Sequence, residues 1–125
     1  GPRFPDMSEP YCPDMIAKAE QIASDNNIKV QKGIYVAVTG PTLETPAEYC
    51  YFRKMGGDTV GMSTIPEIIV ARHMDIPCFA ISVITDLGVP GKIKKVTHED
   101  VQAVAEVTEP KLTLIIKQLI SNITS

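Results

Sequence analysis

Ten consecutive residues, Ile76 to Thr85, read Ile-Pro-Cys-Phe-Ala-Ile-Ser-Val-Ile-Thr and are apolar on both faces of an extended chain. A sheet with one wet face does not accommodate such a run. It suits a central strand of a parallel sheet covered by helices on both sides. The rest of the chain supplies elements of that kind. Gly33 to Thr39 reads as a buried strand and Thr59 to Met62 as a short one. Pro13 to Asn27 carries Met15, Ile16, Ala19, Ile22 and Ala23 at helical spacing, with Asn26-Asn27 as a stop. Pro46 to Met55 is helical and closed by Gly56-Gly57, while Pro66 to Met74, with Ile68 to Ala71 all apolar, predicts a largely buried helix. After Asp86 the pattern breaks: Leu87 to Lys92 holds two glycines and a proline, which predicts a mobile loop. Thr97-His98-Glu99-Asp100 has the form of a helix cap with acid in the first turn. That helix continues past Val101, Val104 and Ala105, and Glu109-Pro110 is expected to kink or divide it before Leu112 to Ile120. Alternating helix and strand makes the expected fold α/β: three layers, a mostly parallel central sheet and flanking helices.

Bulk properties exclude several function classes. The 125 residues suit one domain. A net charge of -3 and a pI near 5.3 leave no basic footprint for nucleic acid. The longest apolar runs, such as Cys78 to Val83, are too short to span a bilayer, and no segment reads as a secretion signal, so a cytoplasmic location is expected. Cys12, Cys50 and Cys78 are odd in number and lack metal-like spacing; they are expected to be reduced thiols packed as small apolar groups, with no metal site.

Chemistry-bearing residues gather where strands end. The run Ile34 to Val38 stops at Gly40-Pro41 and a helix begins after Thr45-Pro46, so Glu44 falls in the loop at a strand's carboxyl end, where open α/β sheets bind ligands. After Thr59 to Met62 come Ser63-Thr64 and a helix with Pro66 in its first turn, a start that favours an anion. Asp86 follows the apolar run directly, which puts it at the same sheet edge. His98, at a helix N-terminus, is expected to be neutral and able to accept from or donate to an alcohol. His73 is assigned to the helix surface or to a buried hydrogen bond, without a catalytic role.

Gly40-Pro41-Thr42-Leu43-Glu44-Thr45-Pro46-Ala47-Glu48, followed by Gly61-Met62-Ser63-Thr64-Ile65-Pro66-Glu67-Ile68-Ile69-Val70-Ala71-Arg72-His73, resembles the purine nucleoside phosphorylases of the trimeric type. The similarity runs from about Arg3-Phe4-Pro5-Asp6-Met7-Ser8 to the last helix, and it covers only the carboxyl-terminal portion of that family's single domain. The resemblance implies a phosphorylase/hydrolase-like fold, incomplete without an amino-terminal half. It also implies phosphorolysis of purine (deoxy)ribonucleosides to the free base and (deoxy)ribose 1-phosphate. Inorganic phosphate is then co-substrate, no cofactor is needed, and the full-length protein is a homotrimer.

Roles follow position by position. Glu44 matches the family's base-binding glutamate; a carboxylate only accepts, which suits N1–H of a 6-oxopurine such as inosine or guanosine and opposes the N1 lone pair of adenine. Asp86 stands where most 6-oxopurine enzymes carry asparagine and relatives acting on 6-aminopurines carry aspartate. Protonated, it donates to N7 as general acid; ionised, it accepts from a protonated N7 or an exocyclic amine. His98 matches the contact to the sugar 5′-hydroxyl, Ser63 the phosphate-binding serine, and Met62 a residue meeting ribose and base. Tyr35 and Leu43 match positions lining the pocket, with ordinary core packing an equal reading. Phe4 matches the aromatic that reaches into the neighbouring subunit's site to cover the ribose. The family's other phosphate ligands, a serine in a glycine-rich loop, a histidine and an Arg-x-His pair, do not occur in these residues. The isolated chain is therefore expected to be inactive, and the alternative is a non-catalytic purine-binding or assembly fragment.

Overall fold

The computed structural model describes residues 1–123. In chain order these form α1 (Pro13–Asp25), β1 (Tyr35–Ala37), α2 (Pro46–Lys54), β2 (Thr59–Gly61), α3 (Ile65–His73) and α4 (His98–Ile123). The chain divides into two compact units. The first holds Gly1–Gln31, Thr64–Ile81 and the stretch from Glu109 onward; the second holds Lys32–Ser63 and Ser82–Thr108.

In the second unit, β1 and β2 pair in parallel with Tyr35 opposite Thr59, Val36 opposite Val60 and Ala37 opposite Gly61. Parallel neighbours need a crossover, and α2 supplies it, so β1-α2-β2 is one βαβ unit. Its register is pinned at one end by Asp58, which accepts from the Ile34 amide at 2.9 Å and is paired with Arg53. At the other end Val38 N–H donates to the Gly61 carbonyl at 2.9 Å. The helix α2 begins where its sequence says it should. Thr45 is the N-cap: its hydroxyl accepts from the Glu48 amide at 3.3 Å, while the Glu48 carboxylate accepts from the Thr45 amide at 2.7 Å. Pro46 occupies the first turn, where its missing N–H costs nothing. The same box opens α4, with Asp100 in the glutamate's place and Thr97 as its partner at 2.9 and 3.2 Å.

The first unit has its core where α1 meets the second half of α4: Ala19, Ile22 and Ala23 pack with Ile115 and Leu119, flanked by Ile28, Phe79, Ile81 and Leu114. The three buried α1 residues lie on one helical face, at the spacing read from the sequence.

Several sequence expectations are corrected, the burial of the strand read at Gly33 to Thr39 among them, since β1 has no buried residue and Ile34 is exposed. Ile76 to Thr85 belongs to no ladder among the described residues, and the sheet has two strands. A strand exists only through a partner; here Cys78 is buried and its carbonyl accepts from the Cys12 amide at 2.8 Å, yet Ile76 and Ile84 are 45% and 51% exposed. The helix α3 is not largely buried: only Ile68 is covered, while Ile69 and Val70 are exposed, because a helix apolar all round is packed on one side within its unit. Pro110 does not divide α4, which runs continuously through it; proline forfeits one backbone bond there and the neighbouring turns hold. The α/β class and the parallel pairing stand. The cysteines are free as expected, but Cys50 is exposed rather than packed.

Candidate functional site

The loop between β1 and α2 turns on Gly40, whose φ of 62° is open to glycine at little cost, and the Met62 side chain lies against the face where a Cβ would project. From there the chain runs through Thr42 and Leu43 to Glu44, the residue immediately before the α2 cap. Thr39, Gly40, Thr42, Leu43, Glu44 and Glu48 border a shallow cleft of about 310 Å³. Glu44 is half-buried at its edge and Leu43 is 59% exposed. The cleft thus combines backbone polar groups with two carboxylates. One of them, Glu48, is committed to the α2 cap: the Thr45 amide and then the Thr45 hydroxyl hold it below the usual carboxylate range. Glu44 is the other.

A tyrosine that sequence reasoning passed over brings the two predicted carboxylates to a common neighbour. Tyr49, half-buried on α2, lies close enough to Glu44 and Asp86 for the charge of each to act on it. Burial first, then the bond to Glu44, then the negative charges of Glu44 and Asp86 push the phenol up to about 12. Its ring lies across Gly88, where any Cβ would collide with it. The signal was present in the sequence. With Thr45 as N-cap, Glu44 is N′ and Tyr49 is N4, the pair of positions that meet when a chain enters a helix.

The remaining predicted residues of the second unit fall in two places. Asp86 is half-buried and accepts from the Thr85 hydroxyl at 2.8 Å. Past the last strand residue, the Ser63 amide donates to the Tyr35 hydroxyl at 3.4 Å, joining Tyr35, Ser63 and, one residue earlier, Met62. His98 is the first residue of α4, exposed, and takes part in no side-chain hydrogen bond among the described residues. The loop from Leu87 contains a turn closed by Lys92 N–H on the Val89 carbonyl at 2.8 Å.

Phe4 lies in the first unit, 82% exposed, with the Arg3 guanidinium 5.3 Å from its ring centre. The N-cap of α3, Thr64, has φ of 76°, a strained value for a β-branched residue, and makes no side-chain cap. His73 bonds the Pro2 carbonyl at 3.0 Å, a surface role as expected. No helix of the described residues is long and apolar enough to cross a membrane.

Comparison with known proteins gives a consistent result. The family model described as the phosphorylase superfamily matches residues 1–121. Purine nucleoside phosphorylase 1 of Bacillus subtilis is 44% identical over 121 residues, an alignment covering 97% of this chain and 45% of that protein. Among solved structures, isoform 2 of purine nucleoside phosphorylase from Schistosoma mansoni, in complex with cytosine and ribose-1-phosphate, superposes with a TM-score of 0.91 at 38% identity, over 96% of this chain and 44% of that one. The Schistosoma mansoni enzyme in complex with inosine gives 0.87, with the same identity and coverage. The chain spans less than half the length of the relatives it matches.

Proposed function

The chain belongs to the phosphorylase superfamily, and from that membership we propose that it forms the base and ribose side of a purine nucleoside phosphorylase. The reaction is phosphorolysis of a purine (deoxy)ribonucleoside, and the preferred substrates are the 6-oxopurines inosine and guanosine. The observation that carries this reading is the cleft at the end of β1 that Gly40, Thr42, Leu43 and Glu44 border.

In the transition state positive charge builds on the sugar and negative charge on the departing purine. Glu44 accepts from N1–H, and from the 2-amino group of guanine, which orients the base. Asp86 serves the far side of the base, sharing or donating a proton at N7 as the glycosidic bond breaks. His98 takes the sugar 5′-hydroxyl; Met62, Tyr35 and Leu43 line base and ribose. Ser63 contributes to phosphate, the co-substrate, and no metal or other cofactor enters. Phe4 covers the ribose of a neighbouring subunit in a homotrimer, and the enzyme works in the cytoplasm. Two names support the reading: a relative in complex with ribose-1-phosphate, the product such a reaction releases, and one in complex with inosine. The rest of the phosphate site comes from outside these 125 residues, and the whole is the carboxyl-terminal portion of one domain.

The test is made in the complete enzyme containing this chain. Hypoxanthine release from inosine should require phosphate, and Glu44→Gln should lower kcat/KM for inosine and guanosine by roughly 10²-fold or more while adenosine changes little, because an amide presents a donor to N1 of adenine. Equal losses for all three nucleosides would show that Glu44 does not read the base.

A further inference from the structure

Residues 1–12 form no helix or strand, yet their first part is held at two points. At one, Nε2 of His73, the last residue of α3, lies 3.0 Å from the Pro2 carbonyl oxygen. A carbonyl only accepts, so this nitrogen carries the proton and donates. The imidazole also fills the space beside Gly1, where any Cβ would collide with it. At the other, Asp6 accepts from the Ser8 amide at 2.9 Å and from the Ser8 hydroxyl at 3.0 Å, an Asx turn that fixes the direction of the chain. The Ser8 amide and then the Ser8 hydroxyl hold the Asp6 carboxyl below its usual range, and the charge of Arg72, the residue before His73, acts in the same sense.

Between the two points lie Arg3 and Phe4, bracketed by Pro2 and Pro5. Each proline locks its own φ and restricts the residue before it, so the bracket is a short, stiff arm. Its ring stands in the open: Phe4 is 82% exposed, with the Arg3 guanidinium 5.3 Å from the ring centre. A stiff arm points where its anchors direct it.

We propose that His73 is a positioning residue: by holding the Pro2 carbonyl it aims the Arg3-Phe4 arm, and so sets the Phe4 ring over the ribose of a neighbouring subunit. This rests on the reading of Phe4 given above. His73 touches no substrate and acts only through the arm. Without the tie the arm keeps its internal stiffness but swivels about its ends. Ordering it again when a nucleoside binds then opposes binding by the conformational entropy lost. The loss falls on the nucleoside and spares phosphate, because Phe4 covers the sugar.

Variants of the complete enzyme test the proposal. His73→Leu removes the donor and should raise KM for inosine roughly fivefold, with KM for phosphate unchanged. His73→Gln, whose amide offers a donor at similar reach, should restore most of that loss. Phe4→Ala should raise KM for inosine at least as far, and adding His73→Leu to it should bring no further loss, because the tie then has no ring to place. A merely structural histidine would add its own loss and weaken both substrates. An unchanged KM for inosine in His73→Leu, equal losses for inosine and phosphate, or additive losses in the double variant overturn the proposal.

Trypsin cleavage after Arg3, followed by mass spectrometry, reads the tie itself. It should quicken severalfold in His73→Leu and stay at the parent rate in His73→Gln. Cleavage no faster in His73→Leu shows that the tie does not hold the arm and overturns the proposal. If cleavage quickens as expected but Phe4→Ala leaves KM for inosine untouched, the reading of Phe4 has failed and the positioning role falls with it, while the tie stands.

Discussion

At the scale of single residues, Asp86 is the position with the sharpest consequence, because the resemblance expects asparagine there in most 6-oxopurine enzymes. If it assists the departing base at N7, Asp86→Ala in the complete enzyme should lower kcat by roughly 10²-fold or more, the scale of general acid catalysis. Asp86→Asn should be milder, since an amide still donates to charge building on N7. Steady-state kinetics with inosine and adenosine decide it. A kcat within about twofold of the parent in Asp86→Ala would reduce the aspartate to a partner of the Thr85 hydroxyl, which it accepts from at 2.8 Å. Glu44 and Asp86 stood out in the sequence because each lies just past an apolar run, Glu44 after Gly40-Pro41 and Asp86 directly before the break at Leu87. The place of Tyr49 four residues into α2 was readable, but its contact with Gly88, remote in the chain, was not.

At the scale of elements, the two threonine caps are responsible for where α2 and α4 begin, and both contain a carboxylate held below its ordinary value. For Glu48 the main cause is the Thr45 amide, and for Asp100 the Thr97 amide. A depressed folded value means stability present above the unfolded values of 4.5 and 3.8 and lost as pH falls through the folded ones. The urea midpoint of the chain should therefore drop between pH 5 and pH 2. Thr45→Ala and Thr97→Ala should lower the midpoint at pH 7 and also flatten the acid loss, because each removes the hydroxyl that bonds its carboxylate. Parallel acid profiles for parent and variants would show that these hydroxyls do not tune the carboxylates. The tyrosine acts in the opposite direction. With its folded value above its unfolded one, stability should decline as pH climbs from about 10 toward about 12.

For the whole molecule, the decisive expectation is that the 125-residue chain alone performs no measurable phosphorolysis. The serine loop, the histidine and the Arg-x-His pair that the resemblance requires for phosphate are missing from these residues, and each oriented anion ligand lost costs about 3 kcal/mol of transition-state stabilisation. Phosphate-dependent release of hypoxanthine by the chain alone, free of contaminating enzyme, would refute it. The same scale separates what sequence and tertiary structure each decided. The start of α2 at Pro46, the cap at Thr97, the buried face of α1 and the Glu44 loop were all readable in order, because capping bonds and helical faces close within a few residues. The sequence by itself also determined the α/β class and the motifs that carry the family resemblance. Tertiary structure alone decided which apolar surfaces are covered and which strands pair. Ile76 to Thr85 carries the composition of a central strand, but a ladder needs a partner's N–H and C=O groups, and burial needs a partner's side chains. Those partners are supplied by residues remote in the chain, so neither composition nor periodicity can report whether they arrive.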